Sequence, residues 1–339
     1  MAKPSFDLIP SLSIHPTYIS TYKQIQWCPY RPGRPRDASG SVIKKGRADH
    51  LLTADKKTHG KVSEQARRKM SKATEYLLYL ADQNSATSNY SGKTFNFKIA
   101  FVTLTLPSKQ VHTDNEIKER CLNQMLIELK VRYKVRFYLW RAEKQKNNNI
   151  HFHILVDKFI PWSELRDRWN RIVNKLGYVE RYRDEMKLFH REGFRVRENL
   201  LKHWDYQKQV KAYQKGKIND WSSPNSTDIH SIRKINNVKA YVLKYCTKDE
   251  ENHEVEGRLW GSSEELSNIK GGQSVIDSQV SDELDKLISN YSIRPYKGDH
   301  FSVLHIPVQC LFSPEFPVLQ KIFFEFVFER FRINPATHI

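Results

Sequence analysis

The amino-acid sequence predicts an α+β fold: a split β-α-β plait with a central antiparallel sheet and helices packed on it. Three observations carry that prediction. Between Phe97 and Gly177 the hydrophobic pattern changes period in the order strand, helix, strand, strand, helix. The two middle strands read as one hairpin, with Val135, Phe137 and Leu139 alternating before a polar turn and Ile150, Phe152, Ile154 and Val156 after it. The length of 339 residues is enough for a substantial core with extensions on either side.

Residues 1–60 mix proline, glycine and charge; Pro29, Pro32 and Pro35 interleave with Arg31, Arg34 and Arg36, which predicts an extended basic arm. Residues 61–92 are expected to be a basic helix and linker. Val62, Ala66, Met70, Ala73, Leu77 and Leu80 have helical spacing, and Arg67, Arg68 and neighbouring lysines offer phosphate contacts on the other faces. Asp82 to Gly92 reads as polar linker before a main domain at 93–250. That domain opens with a strand from Phe97 to Leu106, ended by Pro107. Asp114 is expected to cap a helix with Ile117, Cys121, Met125 and Leu129 inward. After the hairpin, Pro161 starts a helix with Leu165, Trp169, Ile172 and Leu176 inward and Gly177 past its end. Tyr182 to Asn225 reads as mixed helix and loop, and Asn236 or Asn237 caps a helix running to Lys248. Residues 251–339 are read as a less regular extension, with a linker at Gly271-Gly272 and a phenylalanine-rich buried element at 316–331.

Lys and Arg outnumber Asp and Glu by 56 to 38, and a formal charge of +18 biases the chain toward a polyanion, nucleic acid first. Four scattered cysteines, with no C-x-x-C pair, argue against a disulfide framework and for reduced thiols. No signal-peptide core or membrane-length run is present, so a cytoplasmic protein without a membrane partner is expected.

The chemistry begins in the hairpin. Strand side chains repeat every two residues, so His151 and His153 share a face. A turn symmetric about Asn147 sets Glu143 opposite His151, with cross-strand Cβ atoms roughly 4.5–5.5 Å apart. Two imidazoles and a carboxylate then converge on one divalent ion, Mg²⁺ or Mn²⁺, the nitrogen ligands favouring Mn²⁺. A second constellation lies on the helix K-A-Y-V-L-K-Y-C-T-K, where Tyr241, Lys244, Tyr245 and Lys248 fall on one face at i, i+3, i+4 and i+7. A lysine beside a phenol favours the phenolate and can also hold a phosphate oxygen. A metal-polarised phosphodiester and a tyrosine nucleophile together predict a phosphotyrosine link that a second hydroxyl can reverse.

F-V-T-L-T-L-P, H-F-H-I-L and Y-V-L-K-Y-C-T-K, in that order, with a glutamate eight positions before the first histidine, resemble the three motifs of the HUH endonucleases. The resemblance covers about Phe97 to Lys248 and is nearest to the rolling-circle replication initiators of small single-stranded DNA phages and plasmids. It implies a five-stranded antiparallel sheet with the hairpin histidines central and the tyrosine helix across from them. It implies that Glu143, His151 and His153 hold the metal, that Tyr241 is the nucleophile, and that Tyr245 is the second tyrosine of two-tyrosine enzymes. Lys244 matches the lysine between them. Thr103 and Thr105 match the first motif, whose part is structural or in DNA contact. The partner is single-stranded origin DNA. No G-x-x-x-x-G-K-[ST] occurs, so unwinding and synthesis fall to a host helicase and polymerase.

Two other readings are compatible with these residues. One keeps the chemistry in a relaxase or transposase, against which stand the motif order and the chain length. The other is a non-catalytic nucleic-acid-binding protein, in which the metal residues are incidental.

Overall fold

The structure is a computed structural model that describes residues 6–27, 62–87, 92–202, 204–232 and 255–335. The chain divides into two units, residues 59–267 and residues 1–58 with 268–339.

The first of these units is built on a five-stranded sheet. Its strands are β5 (Ile99–Leu104), β6 (Tyr138–Lys144), β7 (Ile150–Val156), β8 (Thr227–Ile232) and β9 (Trp260–Ser262), in the order β8-β5-β7-β6-β9 with every pair antiparallel. The α+β prediction holds, and β7, which carries the histidines, is the central strand. Val102, Leu104, Ala142, Phe152 and Ile154 point to one face and are at most 2% exposed. Helices α2 (Asp114–Ile117), α3 (Asn123–Val131) and α4 (Trp162–Asn174) contribute Ile117, Met125, Leu129, Leu165 and Trp169 to that core. Trp169 meets Phe152 edge-on, and its indole N–H donates to the Thr105 carbonyl at 2.6 Å. Helix α1 (Glu64–Leu80) packs against β6 with Met70, Ala73, Tyr76 and Leu77 buried.

Several expectations need correcting. Thr113, not Asp114, caps α2, through a reciprocal capping box with Glu116. Asp114 is instead buried and accepts from Lys144 at 2.7 Å and from Gln110. Between α2 and α3 the chain makes a π-helical turn, Lys118–Leu122. The single strand read over Phe97 to Leu106 is split at Lys98. Its first part, β4 (Thr94–Phe97), pairs with β3 (Asn84–Thr87), inside the stretch expected to be linker. The mixed segment after Gly177 contains α5 (Tyr178–Phe189), a 3-10 turn at Glu198–Leu200 and α6 (Tyr206–Ile218). Gly177 sits at φ +75°, the left-handed conformation that ends α4.

The second unit overturns the expectation of an arm without regular structure at its N-terminal end. Phe6–His15 (β1) and Tyr18–Trp27 (β2) form a ten-residue hairpin. They belong to a sheet ordered β10-β1-β2-β12-β11, with β10 (Gly272–Val275), β11 (Tyr296–Lys297) and β12 (Phe301–His305). Leu12, Ile14 and Ile19 are fully buried. The proline-arginine part of the expected arm lies outside the described residues. The expected Gly271-Gly272 linker is likewise structural: a Cβ on Gly272 would fall 2.7 Å from the Ile322 carbonyl oxygen of helix α8 (Pro317–Phe331), so only glycine permits that approach. Helix α8 is the phenylalanine-rich element, and it buries Leu319, Phe323, Val327 and Phe331 at a four-residue spacing. Its first N–H groups, of Val318 and Leu319, donate to buried Glu283 on α7 (Ser278–Asn290) at 3.0 and 2.9 Å. No helix among the described residues is long and apolar enough to cross a membrane.

Candidate metal centre on the central strand

Because Ile150, Phe152 and Ile154 enter the core, His151 and His153 must face the other side of the sheet. The register then decides what they meet, and it places Glu143 opposite His151 and Arg141 opposite His153. Local and tertiary bonds hold that register. The turn closes through Asn148 N–H to Gln145 O and Gln145 N–H to Asn149 O, both 2.8 Å, with Asn148 in the left-handed region at φ +65°. The loop before α2 clamps the turn from outside: Gln110 N–H donates to Asn149 Oδ1, Asn149 Nδ2 to Ser108 O, and Ile150 N–H to Gln110 Oε1. At the hairpin's open end the Asp157 carboxylate accepts the Arg136 N–H at 3.2 and 3.3 Å.

Glu143, 5% exposed, divides its two oxygens between neighbours. Oε1 pairs with Arg141 Nε at 3.1 Å, and Oε2 lies 3.5 Å from His151 Nε2 and 3.6 Å from His153 Nε2. Burial pushes the Glu143 carboxyl up, but the two histidines and the Arg141 charge outweigh it and hold the group down to about 2. It is a carboxylate throughout the physiological range.

The trio fits a cation. One ligand atom from each residue lies within 4.8 Å of the others. The histidine-to-carboxylate separations of 3.5 and 3.6 Å are long for a hydrogen bond but suit two ligands each about 2.1 Å from a shared ion. His151 Nε2 is a buried atom without a hydrogen-bond partner, directed at that shared space. The far nitrogen of His153 is engaged, Nδ1 lying 3.2 Å from Thr103 Oγ1 across the β5–β7 ladder, which fixes the ring with Nε2 toward Glu143. Both histidine side chains keep 12–15% exposure, so the face they share is reachable.

The other predicted residues divide into three groups. Thr103 joins the centre through His153. Thr105 does not: its hydroxyl donates to the Ser226 carbonyl at 3.0 Å and ties the end of β5 to the approach to β8. Arg67 and Arg68 lie on the first turns of α1, where Arg68 is exposed and paired with Glu64 at 3.3 Å. Tyr241, Lys244, Tyr245 and Lys248, and the helix read around them, lie outside the described residues. Sequence reading missed Arg141, although its position two before Glu143 puts it on the same strand face. It also missed Phe101, whose ring lies between His153 at 5.1 Å and His230 at 5.2 Å.

No curated protein and no solved structure matches the chain. A family model does match, that of the replication-associated protein ORF2, over residues 99–250, somewhat less than half of the chain. The matched span runs from the first residue of β5 through the whole metal trio to Glu250. Over that span the chain is similar to the replication-associated proteins of this family, in agreement with the rolling-circle initiator resemblance of its motifs.

Proposed function

We propose that the protein is a metal-dependent nickase that cuts and rejoins a specific single-stranded DNA site through a covalent 5′-phosphotyrosine and so initiates rolling-circle replication. The observation that carries this reading is the convergence of Glu143, His151 and His153 on the central strand, inside the segment similar to replication proteins.

Glu143, His151 and His153 would hold a divalent ion, Mg²⁺ or Mn²⁺, which when bound supplies Lewis-acid polarisation of a phosphoryl oxygen. The chain's own part is to orient and to attack. Thr103 keeps His153 turned inward, and Arg141 keeps the Glu143 carboxylate charged and aimed. Tyr241 is the nucleophile of this proposal. Its phenolic oxygen loses its proton and bonds to phosphorus, the bond from phosphorus to the 3′ oxygen breaks, and that oxygen takes up a proton to leave as a free hydroxyl. Lys244 favours the phenolate by charge. Tyr245 serves the second cut of a round, the incoming 3′ hydroxyl reverses the first step, and Lys248, Arg67, Arg68 and Thr105 contact the strand. Host helicase and polymerase extend the freed end.

The test is mass spectrometry of the protein after incubation with single-stranded origin DNA and Mn²⁺. A covalent 5′-phosphate adduct on Tyr241 is expected, lost with chelator and lost in the double variant Tyr241→Phe, Tyr245→Phe. An adduct that survives in the double variant refutes the assignment of the nucleophile; cleavage without an adduct refutes the mechanism.

A further inference from the structure

The segment from α5 to β8 encloses a cavity of about 270 Å³ that the metal centre does not use. This is just under the usual range for small-molecule sites, the scale of a single nucleotide unit. Its walls are rings and arginines. His190 lies parallel to both Trp221 and Phe194, at 5.9 and 6.2 Å between centroids, and 4.8 Å from Tyr213. Arg166, from α4, lies 4.2 Å over the Trp162 ring, and Arg195 reaches the same opening. An ordinary aromatic core would be closed and backed by aliphatic side chains. Here α6 buries only Gln209 and Gly216, and His190, Phe194, Tyr213 and Trp221 each remain half-buried around the opening.

The presentation of Trp221 is built into the backbone. Asp220 and Trp221 both have left-handed φ, +54° and +52°, a conformation that is unfavourable for a bulky residue. The Trp221 N–H donates to the Gly216 carbonyl at 2.8 Å, and the indole lies where a side chain on residue 216 would have to go. Gly216 is therefore required for the ring to lie across α6. Buried Gln209 ties the rim together, accepting from the Arg197 N–H and donating to the Arg197 and Trp204 carbonyls. Burial holds His190 below its usual range, reinforced by the nearby Arg197 charge, so the ring is neutral near pH 7 and free to stack.

We propose that this cavity takes one unpaired base of single-stranded DNA, stacked among His190, Phe194, Tyr213 and Trp221, with the adjoining phosphate on Arg166 or Arg195. Stacking on rings accepts any base face, and guanidinium groups match phosphate geometry. The location suits a strand that also reaches the metal. Pro224 and Asn225 line the cavity and lead directly into β8, whose Asp228 pairs with Thr103, the partner of His153. At the spacing of strands and residues in a sheet, cavity and trio are on the order of 15 Å apart. The identity of the strand as DNA rests on the nickase reading; the pocket's preference for an unpaired base does not.

The experiment measures binding in chelator, where no cleavage occurs, so its failure is separate from failure of the nickase reading. Fluorescence anisotropy of the full chain would compare a short thymidine oligonucleotide with its fully abasic counterpart of equal charge. The abasic strand should bind roughly 5- to 150-fold more weakly, the factor that loss of one stacked base produces. Trp221→Ala should weaken the thymidine oligonucleotide by a similar factor and leave the abasic one unchanged, while Trp221→Phe restores most of the affinity. Arg166→Gln should weaken both and reduce the salt dependence by about one phosphate contact. Equal binding of intact and abasic strands by the unaltered protein overturns the proposal without relying on any variant. So does a Trp221→Ala loss of the same size on the abasic strand, or tighter binding of the equivalent duplex or RNA.

Discussion

Asp157 offers a test of the hairpin's stability that is independent of any chemistry at the metal centre. It is 3% exposed, and its carboxylate braces the open end of the β6–β7 pair through the Arg136 N–H. Burial pushes its carboxyl up to about 6 from the ordinary 3.8, only partly offset by backbone hydrogen bonds and the Lys158 charge. The folded state therefore holds a proton that the unfolded state gives up first. Stability from this group is fully present below pH 3.8 and is lost as the pH rises through 6, where the folded protein must carry a buried negative charge. At about 1.4 kcal/mol for each tenfold change in acidity, the ionised form costs the fold about 3 kcal/mol above pH 6. Asp157→Asn keeps an oxygen to accept the Arg136 N–H and removes the charge. Urea unfolding of both proteins from pH 4 to pH 8 should give nearly equal stabilities at pH 4. The variant should gain with rising pH and reach an advantage of about 2–3 kcal/mol at pH 8. A constant difference across that range, or a variant that loses ground as the pH rises, would refute the argument that Asp157 is strained by its charge.

Two further substitutions test the supports of each unit. Thr103→Val keeps the shape of the side chain but takes away the hydroxyl beside His153 Nδ1; Mn²⁺ affinity by isothermal titration should fall roughly 10- to 100-fold, as when an outer-shell partner of a ligating histidine is removed, and an unchanged affinity would mean the ring needs no such support. Gly272→Ala puts a methyl 2.7 Å from the Ile322 carbonyl oxygen; thermal unfolding should show a loss of about 1–3 kcal/mol, and a neutral result would mean that α8 and β10 separate without cost.

Much of the metal centre was legible because its signals are short-range. The alternation around Phe152 puts His151 and His153 on one face, and the symmetry of the polar turn about Asn147 sets Glu143 opposite His151, as the pairing shows. Arg141 was equally legible, by the same period of two. The role of Thr103 was not, because its partner is fifty residues away on a neighbouring strand. The N-terminal hairpin was hidden for a related reason. Pro10 interrupts β1 one residue outside the span paired with β10, and the strands flanking the hairpin, β10 and β12, come from beyond residue 270. Asp114 looked like a cap from its position, yet the adjacent Thr113 with Glu116 made the better reciprocal pair and left Asp114 to bind Lys144. The rings of the cavity gave no periodic signal, since they come from α4, two later helices and the loops between them.

By itself, then, the sequence determined the α+β class, the central hairpin with its three ligands, and the similarity to replication proteins, because periodicity, turn chemistry and motif order are properties of neighbouring residues. Tertiary structure alone decided which side chains support the ligands, where the terminal strands pair, and that Gly216 and Gly272 are needed for close approach. Those outcomes depend on contacts between residues distant in the chain, and local pattern carries no record of which distant surfaces will meet.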